Sequence, residues 1–123
     1  MKLHLAANEG LQLFSGYGTG YVSINSARYE HAVVVTPRAV SPWPVDSFEA
    51  LTAADFAFIA QLKPEVVVLG TGARQRFPDA RLLAALAATG VGVEVMDSRA
   101  ACRTYNILAQ EGRRVVLALL LEP

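Results

Sequence analysis

The sequence predicts a mixed α+β fold in one domain. A β-rich part spans residues 1–50, and an α-β-α-β-α-β alternation with parallel strands spans 51–123. Three observations carry this reading. The chain has 123 residues, the length of one domain rather than two. Its apolar fraction is 53%, enough to build a core and too high for a disordered or low-complexity chain. The hydrophobic period also changes near residue 50, from short β-branched runs broken by glycine and proline to helical spacing alternating with apolar runs.

The elements follow in order. Phe14-Ser15-Gly16-Tyr17-Gly18-Thr19-Gly20 carries three glycines at spacing two, which reads as a turn or a distorted strand. Tyr21–Ile24 alternates weakly, and Asn25-Ser26 is a turn signal. Ala32-Val33-Val34-Val35 is a β-branched run of the kind buried on both faces. In Val40-Ser41-Pro42-Trp43-Pro44-Val45, two prolines that cannot donate to a ladder predict an edge or an exposed extended stretch. Thr52 caps a helix with Asp55 in its first turn, and Leu51, Phe58 and Leu62 fall at helical spacing with Phe56 and Ile59 beside them. Pro64 ends that helix. Glu65–Gly70 is a strand. Asp79–Thr89 is a helix with Leu82, Leu83 and Leu86 inward and Gly90 as its stop. Val91–Met96 is a strand. Ser98 caps a helix to about Gln110 with Ala101, Tyr105 and Leu108 on one face, and Arg113–Leu121 is the last strand.

Charge and composition exclude several function classes. Eleven basic residues balance eleven acidic ones. A dedicated nucleic-acid binder would be strongly basic. Zero net charge favours association, with protein partners or as a homo-oligomer. The seven arginines after residue 70 face five acids, too small an excess for a polyanion stripe. A single cysteine excludes an internal disulfide and a cysteine-based zinc site; no metal site is expected. The longest apolar run, Val115–Leu121, is far shorter than the ~20 residues of a membrane helix. The first ten residues do not read as a signal peptide, and the expected location is cytoplasmic.

Candidate chemistry is sparse. Gly70-Thr71-Gly72 follows a strand, but Gln75 stands where a dinucleotide fingerprint needs its third glycine, and no helix start follows. The turn is a plain strand exit or, with Arg74 and Arg76, a small-anion site. Cys102 lies in the first turn of the Ser98 helix and is a buried small hydrophobe or, with His4 or His31 as base, a nucleophile. Glu94, in a strand expected to be covered, needs partners among Asp97, Arg99, Arg103, Arg113 and Arg114. It is an acid/base pair with Asp97 or part of a charge network locking the last helix to the sheet. Trp43 covers a sheet edge or anchors an interface.

Three blocks, Val67–Gly72, Gly90–Ser98 and Ala101–Val115, the last containing Arg103-Thr104-Tyr105-Asn106-Ile107-Leu108 and Glu111-Gly112-Arg113, together resemble a small single-domain family of unknown function. This is the MTH-type domain, first seen structurally in a methanogen protein. The family also contains assembly factor three of mitochondrial NADH–ubiquinone oxidoreductase and an adipogenesis-associated protein. The chain has Ser98 where threonine is usual. The resemblance implies a three-layer β+β/α domain with no established enzyme activity or cofactor, whose eukaryotic relatives bind other proteins during assembly of a respiratory complex. The family positions matched here are Gly70, Gly72, Glu94, Met96, Asp97, Arg103, Thr104, Tyr105 and Asn106, none with a catalytic role implied. The expected function is therefore a non-enzymatic protein-interaction or assembly module. The alternative is a small-ligand or anion-binding domain, or a cryptic enzyme, with no cofactor expected and a site near the Gly70-Thr71-Gly72 turn of Gly70, Thr71, Gly72, Arg74, Glu94, Asp97, Arg103, Tyr105 and Asn106.

Overall fold

The computed structural model describes residues 10–122. Two sheets and three helices form. Strands β1 (Phe14–Gly18), β2 (Tyr21–Ile24) and β3 (Ala27–Tyr29) make an antiparallel meander. Asn25 and Ser26 both take positive φ, at 49° and 71°, as a two-residue hairpin turn demands. Strands β4 (Val33–Val35), β5 (Val40–Pro42), β6 (Val66–Thr71), β7 (Val93–Met96) and β8 (Val115–Leu120) form a second sheet in the order β5-β4-β8-β6-β7. Its β6, β7 and β8 run parallel, as the alternation with helices predicts, while β4 pairs antiparallel with β8. The two halves of the sequence thus share one sheet.

Period-2 alternation assigns this sheet's two faces. Val33, Val35, Val68, Leu117 and Leu119 point to one side, where they meet Phe14, Val22, Ile24, Cys102 and Tyr105. That layer consists of the three-stranded sheet and the helix α3 (Ser98–Gln110). Val34, Val67, Leu69, Val116, Ala118 and Leu120 point to the other side, against Trp43, Phe56, Ile59 and Leu86. Here the cover is α1 (Ala53–Gln61) and the one-turn α2 (Ala84–Ala87). The result is the expected three-layer arrangement, with a sheet buried on both faces in its middle.

Several local expectations need correction. In α1 the Asp55 carboxylate accepts the Thr52 N–H at 2.8 Å, as the capping pattern predicts. The inward residues, however, are Phe56 and Ile59, while Phe58 and Leu62 stay 39% and 40% exposed. Two apolar stripes compete on this helix, and the one holding Phe56 wins because the Trp43 ring meets it edge-on, 6.0 Å between centroids. The expected helix 79–89 is a 3-10 turn, Ala80–Leu83, followed by α2. Strand β5 does lie on an edge. Beyond it the chain crosses onto the sheet face, where the Trp43 N–H donates to the Ala32 carbonyl at 2.9 Å and the indole is 3% exposed. Trp43 is a core residue, so neither the edge-covering nor the interface role describes it.

Side chains of α3 attach the small sheet. The Asn106 amide accepts the Phe14 N–H at 2.8 Å and donates to the Phe14 carbonyl at 2.9 Å, so it acts as a one-residue strand beside β1. The buried Tyr105 hydroxyl donates to the Gln12 carbonyl at 2.7 Å, and its ring meets Phe14 edge-on. Cys102 is buried in the same layer, which pushes its thiol up to about 12. His31 is occupied by the Ala32 carbonyl and the Tyr29 ring, and His4 lies outside the described residues. The thiol is a packing group.

Asn106→Ala leaves a part-buried N–H and C=O of Phe14 unpaired and is expected to cost roughly 1–3 kcal/mol of unfolding free energy. Denaturant titration followed by circular dichroism measures this. A loss within ~0.5 kcal/mol, the range of an ordinary surface site, contradicts the bridging role.

Candidate functional site

Parallel strands end together, and the crevice beyond their C-terminal ends is where open α/β sheets place ligands. Here a pocket of about 350 Å³ opens at that end. One wall is the β1–β2 hairpin, with Tyr17 and Tyr21; the others are Gly72 after β6, the first turn of α3, and Leu120–Glu122. At its rim the Arg99 guanidinium lies 5.0 Å from the Tyr17 ring centroid.

Ser98 and Asp97 in this pocket are already engaged in internal hydrogen bonds. Ser98 Oγ donates to the Leu120 carbonyl at 2.6 Å and accepts the Gly72 N–H at 2.8 Å. The Ser98 N–H in turn donates to the Gly72 carbonyl at 2.8 Å. Asp97, not Ser98, is the N-cap of α3, accepting the Ala100 N–H at 3.0 Å. The serine freed from capping ties the ends of β6 and β8 to the helix. Gly72 has φ +91°, and a Cβ there would sit 2.5 Å from the Glu122 carbonyl oxygen. Gly70 is closed off likewise, by Leu119, Ala101 and Ser98, so α3 packs directly on β6.

Residues 73–79 leave β6 as a pinned loop. Thr71 Oγ1, fully buried, donates to the Arg74 carbonyl at 2.7 Å and accepts the Arg76 N–H at 3.1 Å. Gln75 Nε2 donates to the Val95 carbonyl on the outer edge of β7 at 2.8 Å. Arg76 bonds both Glu122 and Glu49, the latter at 3.0 Å, and its guanidinium lies over the Phe48 ring at 4.6 Å. Glu122 also accepts the Phe48 N–H at 2.7 Å. On this fixed loop Phe77 is 71% exposed.

The expected site residues are divided by this geometry. Gly72 and Asp97 reach the pocket together, with Thr71 directly behind them. Gly70 serves helix–strand contact. Tyr105 and Asn106 hold the small sheet. The Arg74 side chain is exposed, and Arg103 reaches only the Tyr17 hydroxyl, at 3.5 Å. Glu94 is exposed, because β7 is the edge of the sheet rather than a covered strand; the expected network around it does not form. The carboxylate and guanidinium that do meet are Glu122 and Arg76. Sequence reasoning placed Arg76 only beside the turn and gave Glu122 no role, since their partnership depends on β8 lying next to β6. No helix begins at Gly72, so the dinucleotide reading has no phosphate-binding terminus.

Among the described residues, no helix is long and apolar enough to cross a membrane, and no group of three metal-ligating side chains converges. Residues 14–120 match the family model described as a protein of unknown function, DUF498/DUF598. The chain is 36% identical over 106 residues to NADH dehydrogenase (ubiquinone) 1 alpha subcomplex assembly factor 3 of Bos taurus, covering 85% of this chain and 57% of the relative's length. It is 29% identical to the "13 kDa major membrane protein" of Francisella tularensis, covering 83% and 85% of the two chains. A crystal structure of a Bordetella parapertussis protein superposes with a TM-score of 0.86 at 46% identity, covering 90% of this chain and 96% of that one. The chain belongs to the DUF498/DUF598 family of proteins of unknown function and has the Mth938-like fold of its solved bacterial relatives.

Proposed function

We infer that the chain is a protein-binding domain serving the assembly of a larger complex and carries no chemistry of its own. The observation behind this reading is Phe77. A large aromatic side chain 71% exposed on a loop held by the Thr71, Gln75 and Arg76 hydrogen bonds loses little conformational freedom on binding. Rigid aromatic anchors are what protein interfaces concentrate their affinity in. The pocket at the same end of the sheet fits the same reading, because its serine and aspartate are spent on internal hydrogen bonds. The similarity to a protein named as an assembly factor agrees with it, and the chain spans only 57% of that relative's length. A cytoplasmic location belongs to this proposal. Recovery in the membrane pellet after cell fractionation, in keeping with the name of the Francisella relative, would contradict that part.

The alternative, a small-ligand domain, is supported by one observation: Gly72 and Asp97 both line the 350 Å³ pocket. A metabolite retained by the purified protein would turn the choice that way.

The test is affinity capture of the full chain at native expression with quantitative mass spectrometry, comparing wild type with Phe77→Ala. One protein is expected to co-purify reproducibly and to fall by roughly tenfold or more in the variant, a loss typical of a buried aromatic anchor. The variant's melting temperature should stay unchanged, because an exposed side chain contributes little to stability. A chain that elutes alone at low salt after gentle cross-linking overturns the proposal.

A further inference from the structure

The opposite end of the large sheet carries a second concavity. The N-terminal ends of β6 and β8, together with the β4–β5 turn, frame a groove of about 280 Å³. Its lining includes the apolar residues Pro37, Leu62, Pro64, Val115 and Val116, and Leu62 is 40% exposed. Its rim is cationic, from Arg38, Arg113 and Arg114. The neighbouring carboxylate is Glu65, which is spent on Arg113 at 3.1 Å and on the Arg114 N–H at 2.9 Å. Arg38 and Arg114 form no ion pair among the described residues. Among the described residues the Arg114 guanidinium hydrogen-bonds only the Lys63 carbonyl, at 3.4 Å. Arg38 projects from a formed turn, because Thr36 Oγ1 accepts the N–H groups of Arg38 at 3.2 Å and Ala39 at 3.1 Å.

We propose that this groove docks an acidic segment of a partner protein, with one aliphatic side chain on Leu62 and Pro64 and flanking carboxylates on Arg38 and Arg114. This deepens the protein-binding reading and rests on it. Two features select this occupant. Three arginines against one carboxylate, with Arg38 and Arg114 in no ion pair among the described residues, beside the apolar Leu62 and Pro64, are complementary to a peptide that alternates acid and aliphatic groups. A nucleic acid draws its affinity from many phosphate contacts and gains nothing from Leu62, and this chain carries zero net charge.

The experiment uses the purified full chain and a fluorescein-labelled peptide of aspartates and glutamates around a single leucine, read by fluorescence anisotropy. Saturable binding is expected. It should weaken by roughly tenfold in the Arg38→Glu, Arg114→Glu variant, fall as salt rises, and be lost when serine replaces the leucine of the probe. Lack of binding up to about 1 mM peptide, the edge of measurable affinity, overturns the proposal. So does equal affinity for the charge-reversed variant. Equal binding of the serine probe, or displacement by an RNA oligonucleotide with the same arginine dependence, makes the groove a general polyanion site and overturns it too. If the double variant melts early, Arg38→Glu alone is decisive, since Arg38 takes part in no ion pair among the described residues. Failure here with Phe77-dependent capture intact removes only the groove. Capture failing while the peptide binds removes the Phe77 surface.

Discussion

The Ser98 hydroxyl stands where three segments of the chain end, and the architecture of the pocket depends on its two hydrogen bonds. It holds the Leu120 carbonyl at the end of β8 and the Gly72 N–H at the end of β6, while its own backbone begins α3. Gly72 closes the same junction from the other side by lying against Glu122 with no space for a side chain. A helix can be seated this tightly on a sheet only where the strand offers glycine, and Gly70, against Ala101 and Ser98 of α3, is such a position. From this seat α3 projects Asn106 and Tyr105 toward β1, so the small sheet is positioned by the same contact. The hairpin wall, the helix wall and the strand-end wall of the pocket are consequences of one junction.

Arg76 extends that junction outward. It pairs with Glu122, and both side chains are 20% exposed, so the pair is partly desolvated and losing one member would strand the other. Its second partner, Glu49, is 72% exposed and adds little. The weight of the pair lies in fixing the loop that carries Phe77. The two ends of the sheet then differ in character. The C-terminal end offers an aromatic on a rigid loop near a closed polar network, while the N-terminal end offers three arginines and one carboxylate, Glu65, near Leu62.

The fold was legible where a residue's neighbours along the chain decide its environment. The β-branched runs at Val33–Val35 and Val66–Val68, the Thr52–Asp55 cap and the Asn25-Ser26 turn all formed as their local chemistry demands. It was illegible where strand order decides. Glu94 was expected to be covered, yet β7 is an edge, and no local signal distinguishes an edge strand of a parallel sheet from a central one. The same limit hid Arg76 and Glu122, 46 residues apart and joined only because β8 lies between β4 and β6. Trp43 and Phe58 exchanged their expected roles, the first buried and the second exposed, because one ring–ring contact chose between two helix stripes. Of the candidate residues, Gly72 and Asp97 both line the pocket, while Glu94 and Arg74 stand apart from it in solvent.

Native-state hydrogen exchange at single-residue resolution tests the junction most directly, through the Gly72 and Ser98 amides that it alone engages. If the junction governs the fold, both amides exchange only through global opening, at rates matching those of β6 and β8. Exchange of the Gly72 and Ser98 amides as fast as that of the exposed loop ending at Asp79 would show that strand ends and helix separate freely, and the junction would then be an ornament of a sheet held together elsewhere.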